Sequence, residues 1–186
     1  MSIKKISLVQ PNFQQGPKEF NAHYLPYSVG VLWSYVQTSE KVKQNYELDK
    51  LVWLRDNIEE TLEGIKDNDV VAFSAYVWNK NYNYALAKKL KETNPNCIIV
   101  FGGPELPITK KDIFKRFPFI DIVVKGEGEI TFKKLLEGLV DNSELLDITG
   151  LLLNKEELID TGESERIDDL SIVPSPYLTG VFDKLI

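Results

Sequence analysis

The chain predicts a doubly wound α/β domain built on a five-stranded parallel sheet, and three observations carry that prediction. Five short apolar runs recur, at residues 6–9, 48–53, 70–75, 98–101 and 122–124. Most are near-continuous in apolar residues, as parallel strands covered on both faces must be. Between the runs, apolar residues fall at helical spacing. Finally, two glycine-rich breaks follow the fourth and fifth runs directly: Phe101-Gly102-Gly103-Pro104-Glu105 and Gly126-Glu127-Gly128-Glu129. An open parallel sheet presents its ligand-binding edge at such breaks, because a backbone without Cβ can take positive φ and lie close to a bulky ligand.

Taken in order, the first run, Ile6-Ser7-Leu8-Val9, leads to a helix with Val29, Leu32, Trp33 and Val36 on one face. The second run is interrupted by Asp49 and Lys50, which suits a strand at the sheet edge. Ile58, Leu62 and Ile65 form the stripe of the next helix, and Tyr82, Ala85, Leu86 and Leu90 that of the one after the third run. A short helix around Ile113, Phe114 and Phe117 ends before Pro118, and Phe132, Leu135, Leu136 and Leu139 mark the last helical face. Five βα units joined by right-handed crossovers give the flavodoxin-like strand order 2-1-3-4-5, with a crevice between strands one and three. Beyond this unit, taken as residues 1–145, the remaining 146–186 read as a β-hairpin (148–153 and 158–160 around 154–157) and an extended connector holding Pro174 and Pro176. Val181, Phe182, Leu185 and Ile186 look like an apolar tail with nothing after it to bury against, as in a domain cut from a longer protein.

Composition narrows the function. With 186 residues there is length for a real core, and the net charge of −6 with no basic stripe argues against nucleic acid. The Lys110-Lys111 pair, bounded by Thr109 and Asp112, reads as a solvated helix start. No run approaches the ~18–20 apolar residues of a membrane span, and Ile6-Ser7-Leu8-Val9 is too short for a signal-peptide core. A cytoplasmic location is expected. The single cysteine, Cys97, excludes an internal disulfide or a Cys-rich metal site built by this chain alone, and it reads as a small core residue.

Several chemistries are missing from the sequence. There is no Gly-x-x-x-x-Gly-Lys-Ser/Thr, and Gln10-Pro11-Asn12-Phe13 stands where a dinucleotide fingerprint would follow the first strand. A phospho-receiver needs acidic residues after strands one and three, where this chain has Gln10-Pro11 and Ser74-Ala75-Tyr76. Glu127 and Glu129 at a helix start either complement the helix dipole or accept hydrogen bonds from a ligand rich in amide N–H groups; as anions they disfavour a phosphate there. Tyr76, Trp78, Tyr82 and Tyr84 cluster beyond strand three and either pack under a neighbouring domain or wall a large planar ligand. His23, the only histidine, permits no multi-histidine metal site and reads as a surface residue.

The motifs together resemble the N-terminal cobalamin-binding domain of the cobalamin-dependent radical S-adenosylmethionine enzymes. The likeness spans nearly the whole chain. It rests on Leu25-Pro26-Tyr27-Ser28-Val29-Gly30-Val31-Leu32, on Phe101-Gly102-Gly103-Pro104-Glu105, on Asp121-Ile122-Val123-Val124-Lys125-Gly126-Glu127-Gly128-Glu129, and on the connector from Asp169-Leu170 to Pro174-Ser175-Pro176-Tyr177-Leu178-Thr179-Gly180. The resemblance implies a corrinoid across the C-terminal strand edge with its nucleotide tail in the crevice. Its candidate contacts are Pro11, Asn12, Ser74, Ala75, Tyr76, Gly102, Gly103, Pro104, Glu105, Gly126, Glu127, Gly128 and Glu129. It also implies a partner domain, in cis or in trans, that binds S-adenosylmethionine on a [4Fe-4S] cluster, with methyl transfer as the commonest reaction.

Two departures qualify the likeness. The Cys-x-x-x-Cys-x-x-Cys cluster motif is absent, so this chain alone is not expected to perform radical chemistry. Asn21-x-His23-x-x-Pro26 also replaces the Asp-x-His-x-x-Gly motif of other corrinoid methyltransferases, which predicts a cobalt without a histidine on its lower face. Two other readings fit the same residues: the fold kept without cofactor as a docking or substrate-positioning module, and an unrelated flavodoxin-like binder of a small ligand.

Overall fold

The computed structural model describes residues 3–17, 22–108 and 112–185. Asn21 of the histidine loop, Thr109 with the Lys110-Lys111 pair, and Ile186 lie outside the described residues. The parallel strands are β1 (Lys4–Val9), β4 (Tyr46–Val52), β5 (Val70–Ser74), β6 (Ile98–Gly102) and β7 (Ile122–Val124), in the order β4-β1-β5-β6-β7. That is the predicted order, with the charged strand β4 at the edge.

The sheet has seven strands rather than five. The hairpin strands β8 (Leu151–Asn154) and β9 (Leu158–Asp160) join the same sheet antiparallel, Val124 pairing with Leu151 and Leu153 with Ile159. The physical reason is the open edge of β7, whose unpaired N–H and C=O groups the hairpin satisfies. A separate two-stranded ribbon, β2 (Gln14–Gln15) and β3 (Ala22–His23), follows β1.

Among the described residues six α-helices cover the sheet: α1 (Tyr27–Val36), α2 (Glu40–Asn45), α3 (Ile58–Ile65), α4 (Lys80–Thr93), α5 (Ile113–Arg116) and α6 (Gly128–Asp141). The short α2 carries no apolar stripe of its own. It is started instead by Ser39, whose hydroxyl accepts from Val42 N–H at 3.3 Å. The α1 start lacks a side-chain cap, and buried Gln10 compensates by accepting from Val29 N–H at 3.1 Å. One face of the sheet packs Leu62, Ile65, Leu86 and Leu90 of α3 and α4; the other packs Val29, Trp33, Val36, Phe132, Leu135 and Leu136 of α1 and α6.

The end of the chain corrects the tail expectation. Phe182 is 1% exposed, and Val181 packs on the α1/α6 core. A Cβ on Gly30 would lie 2.3 Å from the Phe182 ring and 3.2 Å from Pro176, so the missing side chain in α1 makes the seat for both. Among the described residues no helix is long and apolar enough to cross a membrane.

Candidate functional site

Side chains alternate strictly between the sheet faces, and this alternation builds the site. On the α3/α4 face the last rows are Val71 with Ile99, then Phe73 with Phe101 and Val123. On the α1/α6 face they are Ala72 with Val100, then Ser74 with Gly102. Toward the C-terminal edge the side chains therefore grow on one face and stay small on the other, ending there in a serine and a glycine. The result is a cavity of about 890 Å³ between the ends of β5, β6 and β7, helix α1, the start of α6 and the segment 167–175, which makes one 3-10 turn at Leu170–Ile172. Its floor is Ala72, Val100 and Phe132; its rim carries Ser28, Ser74, Tyr76, Glu127 and Glu129.

Of the residues singled out from the sequence, Ser74, Tyr76, Gly102, Gly103, Pro104, Gly126, Glu127, Gly128 and Glu129 line this cavity. Pro11, Asn12, Ala75 and Glu105 are not among the lining residues. Buried Asn12 donates to the carbonyls of Tyr24 and Leu25 and accepts from Trp78 Nε1 at 3.1 Å, so it holds the loops around the Tyr76–Trp78 stack. Ala75 donates its N–H to Gly102 O at 2.8 Å, and Glu105 pairs with Lys80 at 2.7 Å.

The glycines divide by what their missing Cβ makes room for. Gly103 has φ +106°, and a Cβ there would sit 2.6 Å from Ala75 O and 2.8 Å from Ala75 N, so the chain's own backbone requires glycine. Gly126, at φ +59°, faces Ser164 Oγ at 2.2 Å from such a Cβ. At Gly102 the nearest atom is Val124 O at 3.6 Å: the space beside it is open cavity.

The aromatic cluster splits, contrary to the expectation of four rings at one crevice. Tyr76 and Trp78 stack at 4.6 Å beside the cavity, and Tyr76 shares a 2.7 Å hydrogen bond with Ser28. Tyr84 instead stacks on Phe117 at 4.3 Å and on Phe101 at 5.5 Å, while Tyr82 bonds Thr61 at 2.8 Å. Both belong to α4 and pack against the α3/α4 core of this same domain, and burial raises the pKa of both. His23 is half-buried, its ring edge-on to Trp53 at 5.9 Å, and it is not among the lining residues. Cys97 is fully buried, and burial pushes its thiol up to about 12, the behaviour of a core side chain and not of a nucleophile.

The segment 163–185 contributes lining that sequence reading had passed over as a linker. Ile167, Leu170, Val173, Pro174 and Ser175 close one side of the cavity, and Glu127 accepts from Ile167 N–H at 3.1 Å. The Lys134–Glu165 pair and the contact between Lys125 and Asp160 hold the adjoining loops; the Lys125 ammonium keeps the Asp160 carboxyl below its usual range.

An apolar, glycine-edged cavity at the C-terminal end of a doubly wound sheet stands where sheets of this kind take their ligands. The chain belongs to the B12 binding domain family, whose model matches residues 41–136. It is 36% identical over 165 residues to the 2-(S-pantetheinyl)-carbapenam-3-carboxylate methyltransferase of Streptantibioticus cattleyicolor, covering 88% of this chain and 24% of that protein. It is 34% identical, with the same coverage, to the cobalamin-dependent radical SAM methyltransferase TokK of Streptomyces tokunonensis. The chain thus spans about a quarter of the length of the curated relatives it matches. Among solved structures, the radical enzyme OxsB with aqua-cobalamin and S-adenosylmethionine bound superposes with a TM-score of 0.71 at 21% identity, over 98% of this chain and 25% of that one. TsrM from Kitasatospora setae, with cobalamin and a [4Fe-4S] cluster bound, gives 0.66 at 16% identity, over 94% of this chain and 31% of that one. At those identities the likeness is one of fold.

Proposed function

We propose that this chain binds cobalamin across the C-terminal edge of its sheet, with the nucleotide tail in the cavity between α1, α6 and the ends of β5 to β7. The observation that carries this reading is the open space beside Gly102, opposite Ser74, at the centre of a cavity of about 890 Å³ that any Cβ at that position would begin to fill. The floor of Ala72, Val100 and Phe132 suits an aromatic base. Ser28, Ser74 and Tyr76 supply hydroxyls, and Glu127 and Glu129 supply acceptors for the peripheral amides of a corrinoid. Asn12, Ala75 and Glu105 tie these loops through their hydrogen bonds and ion pair. Bound cobalamin supplies a cobalt centre that can carry a methyl group.

The relatives support a role beside a radical S-adenosylmethionine domain, in cis or in trans, that brings S-adenosylmethionine and an iron–sulfur cluster, with methyl transfer as the reaction. The exposed rings of Phe13, Tyr24 and Trp78 beyond the sheet edge fit a surface that such a domain covers. The test is incubation with hydroxocobalamin followed by desalting and a visible spectrum. Retained corrin bands are expected. A colourless protein would instead favour the same fold acting without cofactor as a docking module.

A further inference from the structure

The chain after β9 is held at two points and loose between them. At the first point, Ser164 fits where Gly126 and Gly150 leave room, its Cβ 2.9 Å from the position a Gly150 Cβ would take. Glu127 accepts from Ile167 N–H close by. At the second point, Phe182 and Pro176 seat on Gly30, and Thr179 shares a 2.8 Å hydrogen bond with Ser34 of the same helix. Glycine inside a helix is less favourable than alanine, so its presence at the seat of a buried ring marks a contact that offsets that cost. Between the two points the hydrogen bonds of residues 168–174 stay within that segment: Ser171 N–H to Asp169, Ile172 N–H to Asp169 O, and Val173 N–H to Leu170 O. What that stretch offers the rest of the molecule is apolar: Leu170, Val173 and Pro174 line the cavity, with Leu170 74% exposed.

From this arrangement we infer that residues 163–182 form a strap over the cavity, clamped at Ser164–Ile167 and at Phe182–Gly30, whose middle lifts to admit the corrinoid tail and closes on it. The inference rests on the proposed cobalamin site and adds a determinant of how long the ligand stays. A segment tied only at its ends opens locally at low free-energy cost, and an apolar ligand in the cavity gives its middle a surface to close against. The Phe182–Gly30 contact acts through the strap and so is a positioning contact.

The experiment is hydrogen exchange of the full chain with and without hydroxocobalamin, together with the rate at which bound corrinoid is released, for the natural sequence, Phe182→Ala and Leu170→Ser. Without ligand, Phe182→Ala should raise exchange across 168–179 while the strands stay protected. With ligand, the natural protein should protect 168–174. Both variants should release corrinoid about tenfold faster, and Phe182→Ala, with its strap more open before binding, should take it up at least as fast as the natural protein. Leu170→Ser, at an exposed position, keeps the test sound if loss of Phe182 unfolds α1. Corrinoid bound and released at the natural rate by both variants, or 168–174 unprotected in the bound protein, overturns the strap and leaves the binding site standing. A natural protein that retains no corrinoid overturns the proposed site and the strap's role with it.

Discussion

The two faces of the sheet are made by the same strands and end differently. Along β5 and β6, one set of alternate residues finishes in Phe73 and Phe101, rings stacked at 4.7 Å and fully packed. The other set finishes in Ser74 and Gly102, beside a cavity. A period of two lets one strand carry both patterns without conflict, since neighbouring residues never share a face. The packed face supplies stability at the C-terminal edge, where a parallel sheet with an open site is weakest. The open face is held at its rim by polar ties, by Gly30 and Phe182, and by the strap.

The largest effect to break this comparison is Phe101→Ala. Removing a ring from the packed face should cost about 3–5 kcal/mol, read from urea denaturation, because Phe73, Tyr84 and the strands around them cannot collapse into the space. Next comes Gly103→Ala. Its Cβ would press on the Ala75 backbone at a φ that L residues avoid, and a loss of about 1–3 kcal/mol is expected. Glycine-loop substitutions are thus not interchangeable tests of binding: at Gly103 the fold itself pays, whereas a Cβ at Gly128 would meet side chains alone, Leu32 at 3.2 Å and Val124 at 3.7 Å.

The smallest is Asp160→Asn. The Lys125 contact lowers the Asp160 pKa, so the stabilisation it gives is present above the carboxylate's unfolded value and is lost as pH falls through the folded one. Asp160 is half exposed, so the loss at neutral pH should be about 1 kcal/mol or less. The two proteins should converge in stability in acid. A difference that persists at low pH would show that the pair acts through packing rather than charge.

The strand order, the edge position of β4 and the helical faces were legible because each is written locally, as a period or as its interruption. The glycine loops were legible for the same reason. The asymmetry of the faces was also written in the sequence, in Ala72-Phe73-Ser74 and Val100-Phe101-Gly102, but runs read as uniformly apolar hide it; large and small residues have to be sorted by parity. The strap was not legible. Its residues show no period, and its seat, Gly30, lies more than a hundred residues away in sequence. The one local signal was a glycine in the middle of a strong helical face, which calls for a packing reason. Tyr82 and Tyr84 misled because nearness in sequence to a loop is not nearness in space once a helix turns them through its own period.

The central claim is that the open face is the corrinoid site, and Gly102→Val tests it most directly. The new side chain points into the cavity with its Cβ no closer than 3.6 Å to any neighbour, on a strand that favours β-branched residues. Equilibrium dialysis against hydroxocobalamin, run beside thermal melts, should find a melting temperature within about 3 °C of the natural protein and no binding at concentrations that saturate the natural protein. A stable Gly102→Val protein that binds cobalamin with undiminished affinity would contradict the account, because the ligand would then lie somewhere other than this cavity.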